Sequence, residues 1–326
     1  MRRITGTAAD AAFNPVFRDC QTTGCLPEHT FVGGNVWVPG LLQDPDWRLN
    51  AQSEAFYLDS TAYSAATMLR LSASMSVTLT QDSSNTIATV RVTNLSGHKL
   101  PTGYPEGRQM WVNFQAFDAN DQLIYESGAY DPLSGQLTRD ADAKVYEVKQ
   151  GITPELAALL PQSAGESFHF VLNNTVVKDN RIPPQGYTQA LYDRPGLQPV
   201  GATYADGQNW DESIYILPLE TERVMIRLYY QTASKEYIDF LRGNGGIDGL
   251  SLGHLWEKSK SPPQVVAQAW YPSFDVYLPL IEKNNTSTAD AWEASAIALI
   301  TSKFGLFVFT LSFAGFGLTR LLQRRV

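Results

Sequence analysis

The chain has 326 residues, of which 44% are hydrophobic and 18% charged, and carries a formal net charge of -8. That length suffices for one large domain or two modest ones with a buried core. The acidic balance argues against nucleic acid as a partner, because phosphates demand a Lys/Arg-rich surface.

Residues 1–45 are rich in Gly, Pro and Asn, show no sustained period and read as irregular. They hold the two cysteines of the chain, Cys20 and Cys25, in the stretch CQTTGCLPEHTFVGGN. With so few residues between them, the pair can close a small disulfide loop; unpaired thiols and a cofactor contact are the alternatives. A structural zinc site wants four ligands, and only His29 lies nearby. No CxxCH haem-attachment sequence occurs in the chain.

From Asn50 to Ser72, apolar residues recur at helical spacing (Phe56, Tyr57, Tyr63, Ala66, Met68, Leu69) with no Pro or Gly between them, which predicts a helix over 51–73. The period then changes to two. SMSVTLTQD and TIATVRVTN alternate apolar and polar residues around the turn cluster QDSSN, the pattern of a hairpin. QMWVNFQAFD, DQLIYESG, AKVYEVKQG, ESFHFVLNN, ESIYILPL and ERVMIRLYYQT read as further strands, and a long Gly/Pro/Asp-rich loop fills 180–212. The stretch 234–260 reads as a helical start broken by a Gly-rich loop. The expected fold class is mainly β, an antiparallel β-sandwich over 74–270 with a preceding helix.

Beyond a linker at 271–293, the segment from Ala294 to Thr319 is apolar all round, with Lys303 its only charge. It reads as a C-terminal transmembrane helix rather than an amphipathic or core helix. Trp292 stands at the expected interface, and Arg320, Arg324 and Arg325 mark a basic cytoplasmic tail over 320–326. The lipid bilayer is then a partner, and the body faces the periplasm from a single-pass inner-membrane anchor. The opening MRRITGTAADAAFNPVF has no signal-like apolar run. The expectation is therefore a C-terminal portion of a longer protein or a misassigned start, with a cytosolic body on a tail anchor as the alternative.

Catalytic signatures are absent: there is no GxSxG, HExxH or phosphate loop, and His29, His98, His169 and His254 are far apart. An enzyme is the weaker reading. His169 falls in an alternating strand with Phe168 and Phe170 on the opposite face, and His254 precedes Leu255 and Trp256 without special signal. The stretch NLSGHKLPTGYPEGRQMW, Asn94 to Trp111, differs, because Gly97, Gly103, Pro101 and Pro105 make a stiff loop around His98. Either His98 is presented to a ligand, braced by Glu106 and Arg108, or it bonds a backbone carbonyl and holds a corner over Trp111. Acidic turns at Asp118–Gln122 and Thr138–Lys144, with aromatic loops around Tyr204 and Trp210, give an alternative function, a calcium- or carbohydrate-binding module.

The runs GHKLPTGYPEGRQMW, YESGAYD, KVYEVK, FHFVLNN, KDNRIPPQGY and YQTASKEYIDFL together resemble the C-terminal β-domain of multihaem c-type cytochrome-like proteins, over roughly residues 18–270. On that resemblance residues 1–50 are the irregular remnant of a cytochrome-like region. The departure is that Leu26 follows Cys25, so covalent haem on this chain is not expected. The resemblance implies that His29 and His98 act as distal axial ligands to the haem of a partner or an upstream segment. It implies a membrane-anchored, periplasm-facing accessory or interaction domain of a multihaem electron-transfer system, with a multihaem cytochrome as partner.

Overall fold

A computed structural model of the chain describes residues 3–9, 15–27, 32–47, 51–104, 107–194, 196–272, 275–277, 294–302 and 305–313. After helix α1 (Trp37–Gln43), the helical periodicity of the first half runs as α2 (Ala55–Ser72), which buries Ala65 and Leu69, one turn apart. Ser72 ends it by donating its hydroxyl to the Leu69 carbonyl at 2.6 Å, and the chain enters strand β5 (Ala73–Gln81) without a turn.

Strand β5 makes a hairpin with β6 (Thr86–Asn94), and the Asp82 carboxylate closes the turn by accepting from the amides of Ser84 and Asn85. Strand β15 (Trp210–Leu217) pairs the other edge of β6, giving the order β15-β6-β5. Alternation decides the faces here: Ala88, Val90, Val92, Tyr215 and Leu217 are buried, while Arg91, Ile214 and Ile216 are exposed. A second antiparallel sheet runs β11 (Val145–Tyr146), β7 (Gln109–Phe117), β16 (Arg223–Gln231) and β17 (Gln264–Tyr271), with β8 (Leu123–Ser127) also on β7.

The main core fills the space between these two sheets, and its centre is the Phe114 ring stacked on Tyr215 at 4.3 Å between centroids. Burying a side chain such as Phe114 contributes about 2–3 kcal/mol. Because β7 is covered on both sides, it shows little alternation in burial. Met110, Val112, Phe114 and Ala116 join the main core, and Trp111 packs in a separate cluster with Leu137 and Val145, against Tyr130 and Tyr229.

Smaller elements surround the pair. A three-stranded sheet has the order β13 (Gly165–Glu166), β12 (Val148–Ile152), β14 (Thr175–Asp179). Short helices α3 (Pro154–Ala157) and α4 (Gln189–Tyr192) each carry a threonine N-cap. Two-stranded pairs join β9 (Tyr130–Asp131) to β10 (Gln136–Leu137), β1 (Arg3–Ile4) to β4 (Leu26–Pro27), and β2 (Gly6–Ala9) to β3 (Pro15–Arg18).

The 234–260 stretch corrects the expected Gly-rich loop. It forms two helices, α5 (Lys235–Asn244) and α6 (Gly246–Ser259). The glycines are the reason: a Cβ at Gly249 would overlap the Leu241 carbonyl, and one at Gly253 would overlap the Arg242 side chain. Their absence lets α6 close on α5, and with α1 the two bury Trp37, Leu41, Ile238, Leu255 and Trp256.

The C-terminal segment brings a larger correction. Ala294–Ser302 (β19) and Gly305–Phe313 (β20) are antiparallel strands, and β18 (Asp275–Tyr277) runs along β19. The transmembrane helix expected over 294–319 is not formed, and among the described residues no helix is long and apolar enough to cross a membrane. An apolar run does not by itself separate helix from strand, and Ile297, Ile300, Phe307, Val308 and Phe309 favour strand. Arg320, Arg324 and Arg325 lie outside the described residues. The expectations of a bilayer partner, and of a single-pass inner-membrane location with a periplasmic body, lose their support with the helix. The fold class is likewise corrected. In place of a mainly β-sandwich with one preceding helix and a membrane helix, the described residues form a mixed α/β fold with several antiparallel sheets and six helices.

The hydroxyl of Tyr215 is buried without a hydrogen-bond partner. Tyr215→Phe is therefore expected to stabilise the fold by about 1 kcal/mol, since an unmade buried hydrogen bond costs about that much. Urea denaturation measures it, and a clear loss of stability in the variant would refute the assignment.

Candidate functional site

The Asn94–Trp111 stretch is built around one side chain. The buried Asn94 amide donates to the carbonyls of His98, Ile182 and Pro183 at 2.7–3.0 Å, and its Oδ1 accepts from the Ser96 amide and hydroxyl. Leu100 and Ile182 exchange backbone hydrogen bonds. Lys99 is carried inward with them, 8% exposed, onto the Asp179 carboxylate at 2.7 Å, which Arg181 grips from the other side with two bonds of 2.8 Å. Burial pushes the Lys99 ammonium below its usual range despite Asp179. Burial also pushes the Asp179 carboxyl up, but Arg181 and Lys99 together hold it below the usual carboxylate range.

The buried polar groups of this corner thus bond one another. The His98 carbonyl is tied into it, while the His98 side chain is exposed. Among the described residues the one hydrogen bond of Arg108 goes to the Thr102 carbonyl at 3.4 Å rather than to that histidine, and Glu106 lies outside the described residues. Trp111 is not beneath the corner but on the opposite side of β7. His29 lies outside the described residues. Cys20 and Cys25 stand as a disulfide pair with Cα atoms 4.1 Å apart.

The calcium reading is corrected by what the acidic turns already bond. The Asp118 carboxylate accepts from the amides of Asn120 and Gln122, and Asp140 accepts from Ser127, Gly128 and Asp142. Among the described residues no group of three or more His, Cys, Asp or Glu could hold a metal ion. The carbohydrate reading is corrected too: Tyr204 is 2% exposed, and the Trp210 ring is covered by the Arg91 guanidinium at 5.1 Å.

A cleft does exist elsewhere, between β12, β13, the start of β7 and the N-terminus of α5. Its volume is about 250 Å³, and its wall includes Arg108, Arg139, Glu147, Lys149, Glu166 and Glu236, with Phe168 at its rim. Its floor is the buried carboxylate of Glu147, which takes two bonds of 3.0 Å from Arg139 and one of 2.9 Å from Lys178. Burial pushes the Glu147 carboxyl up, but Arg139 and Lys178 outweigh it and hold it below the usual range. Arg139 continues to the Gln109 side chain at 2.8 Å, and Gln109 to Gln231 at 2.9 Å, so the floor is hydrogen-bonded into the main sheet. Lys149 is paired to Glu166 at 2.8 Å.

Gly107 brings α5 to this place. Its φ of 71° is open to glycine, a Cβ there would overlap the Tyr237 ring, and its carbonyl accepts from Ser234, the N-cap of α5. The wall facing α5 is aromatic. Phe168 lies 5.3 Å from Tyr237 and 5.5 Å from Phe240, and His169 meets Phe240 edge-on at 4.9 Å. ESFHFVLNN is thus not the expected strand: only Gly165–Glu166 pair, and the residues after them turn so that Phe168 reaches α5.

Arg108 and Glu236 differ from their neighbours. Among the described residues the Arg108 guanidinium makes only the long bond to Thr102, and the exposed Glu236 carboxylate has no hydrogen bond or ion pair, its charge reaching Arg139 through space. Sequence reasoning missed Arg139, Glu147, Lys149, Phe168 and Glu236. The available signal was a carboxylate, Glu147, inside the apolar alternation of AKVYEVKQG.

No protein-family model matches the chain, and no curated protein is similar to it. Among solved structures it is remotely similar to a penta-heme cytochrome c552 from Thermochromatium tepidum, at 17% identity and a TM-score of 0.41. The likeness covers 64% of this chain, which spans 41% of that one. With neither a membrane helix nor a metal-holding group among the described residues, the expectation of a membrane-anchored accessory domain of a multihaem system, with a multihaem cytochrome as partner, is corrected.

Because the folded Glu147 carboxyl is held low, its stabilisation is complete above its ordinary value of 4.5 and is lost as pH falls through the lowered one. Glu147→Gln is expected to cost about 3 kcal/mol at pH 7, because Arg139 and Lys178 lose their buried partner. The variant should also show a flatter loss of stability below pH ~4.5 than the unchanged protein. Urea titrations across that range test both, and equal slopes would refute the assignment.

Proposed function

We propose that this protein is a binding domain whose cleft receives the carboxylate of a small organic molecule. The observation that carries this reading is the Arg108 guanidinium, which lines the cleft half-buried and makes, among the described residues, a single 3.4 Å hydrogen bond. A guanidinium in partial shelter with free donors suits a carboxylate, which it grips with two parallel bonds. The saturated floor supports binding rather than catalysis. Arg139, Glu147 and Lys178 satisfy one another, and among the described residues neither the Ser167 nor the Ser234 hydroxyl bonds an imidazole or carboxylate that would activate it; each accepts from a backbone amide. Ligand pockets commonly combine an apolar wall with a few placed polar groups, and Phe168 with Arg108 supplies that combination here.

A panel of small mono- and dicarboxylates, screened by thermal shift and quantified by calorimetry, tests the reading. At least one is expected to bind, and Arg108→Ala is expected to weaken it by about 10- to 100-fold, as for a lost charge-assisted hydrogen-bond pair. Binding that survives Arg108→Ala unchanged would exclude this cleft as the site.

A further inference from the structure

We infer that the ligand of this cleft is a zwitterion, an α-amino acid with an apolar side chain. The inference rests on the carboxylate reading above and extends it to the other end of the ligand. The charged side chains of the wall are Arg108, Arg139 and Lys149 with Glu147, Glu166 and Glu236. Four of these six are committed to ion pairs. Glu147 is bonded to Arg139 and Lys178, and Glu166 to Lys149. Among the described residues one cation and one anion of this wall remain without an ion pair, Arg108 and the exposed Glu236, whose charge reaches Arg139 only through space.

A ligand with a carboxylate alone would satisfy Arg108 and add negative charge beside Glu236, which has no ion pair among the described residues. A ligand carrying an ammonium next to its carboxylate offers a counter-charge to each of the two. Glu236 sits in the first turn of α5. The volume agrees in scale. About 250 Å³ is small beside ligand pockets of roughly 300–1,000 Å³, and admits an amino acid rather than a larger cofactor.

The third element is Phe168. Its ring is buttressed by Tyr237 and Phe240 on α5, the helix that also carries Glu236. An apolar or aromatic side chain placed against Phe168 would thus be read by the same helix that reads the ammonium. Gly107 fixes the spacing, since its carbonyl holds the α5 N-cap and its missing side chain admits Tyr237. Arg108 is the next residue, so the carboxylate and ammonium sites are joined through one short backbone link.

Three probes that differ by one group each test this on the full chain by calorimetry: L-phenylalanine, 3-phenylpropanoate without the amine, and 2-phenylethylamine without the carboxylate. L-Phenylalanine is expected to bind at least about tenfold more tightly than either of the others, the scale of one charged pair. Glu236→Gln should erase its margin over 3-phenylpropanoate while leaving 3-phenylpropanoate itself within about twofold, a selectivity change that a merely structural role for Glu236 would not produce. Arg108→Ala should remove both carboxylates. If 3-phenylpropanoate binds the unchanged chain as tightly as L-phenylalanine, or if Glu236→Gln weakens both equally, the zwitterion inference falls and the carboxylate reading stands. If other carboxylates bind but L-phenylalanine does not, the inference falls in the same way. If no carboxylate binds at all, the reading beneath it falls as well.

Discussion

A carboxylate buried in a β-protein must find its counter-charges in three dimensions, and where it finds them decides what is held next to what. Glu147 stands between the last residue of β11 and the first of β12, so it belongs to the seam between the main sheet and the small one. Arg139 comes from the loop before β11 and Lys178 from β14, and both converge on it. Through Arg139 the seam reaches Gln109 and Gln231, the terminal pair of the two central strands of the main sheet. Without this set the small sheet would have little reason to lie where it does, and the cleft would lack a floor. The same saturation makes the two remaining charges informative, because an ionisable group without a partner stands out only where its neighbours are all satisfied.

The sequence was most legible where a single face of a single element is buried. The alternation of TIATVRVTN becomes the buried row Ala88, Val90, Val92, and ERVMIRLYYQT becomes Val224, Ile226, Leu228, Tyr230. The helix before β5 was also readable from its apolar spacing and its freedom from Pro and Gly. Legibility failed where chemistry alone does not choose the period. The apolar run after Ala294 fits helix or strand on composition, and the backbone pairs it as a hairpin. The Gly-rich stretch after Asn244 looks like a helix breaker, yet its glycines are there because two helices touch.

The cleft was harder still, because its walls come from residues 107–109, 139, 147–150, 166–168 and 234–236. No local motif links these segments. The conspicuous stretch around His98 drew attention for its residue types, but its prolines, glycines and buried Asn94 make a corner whose polar groups bond one another. Its one contribution to the cleft is at its far end, where Gly107 and Arg108 leave the corner and enter β7.

Lys99 gives that corner a chemical signature. Its ammonium is enclosed, donating to Asp179 and to the Leu197 carbonyl beneath the Tyr192 ring. A primary amine in that setting is shielded from acylating reagents, which need access to a neutral, exposed nitrogen. Surface lysines such as Lys235 acylate directly, whereas Lys99 must wait for the corner to come apart. Its acylation rate is then a clock for local opening, set by how often Asn94 releases the three carbonyls it holds.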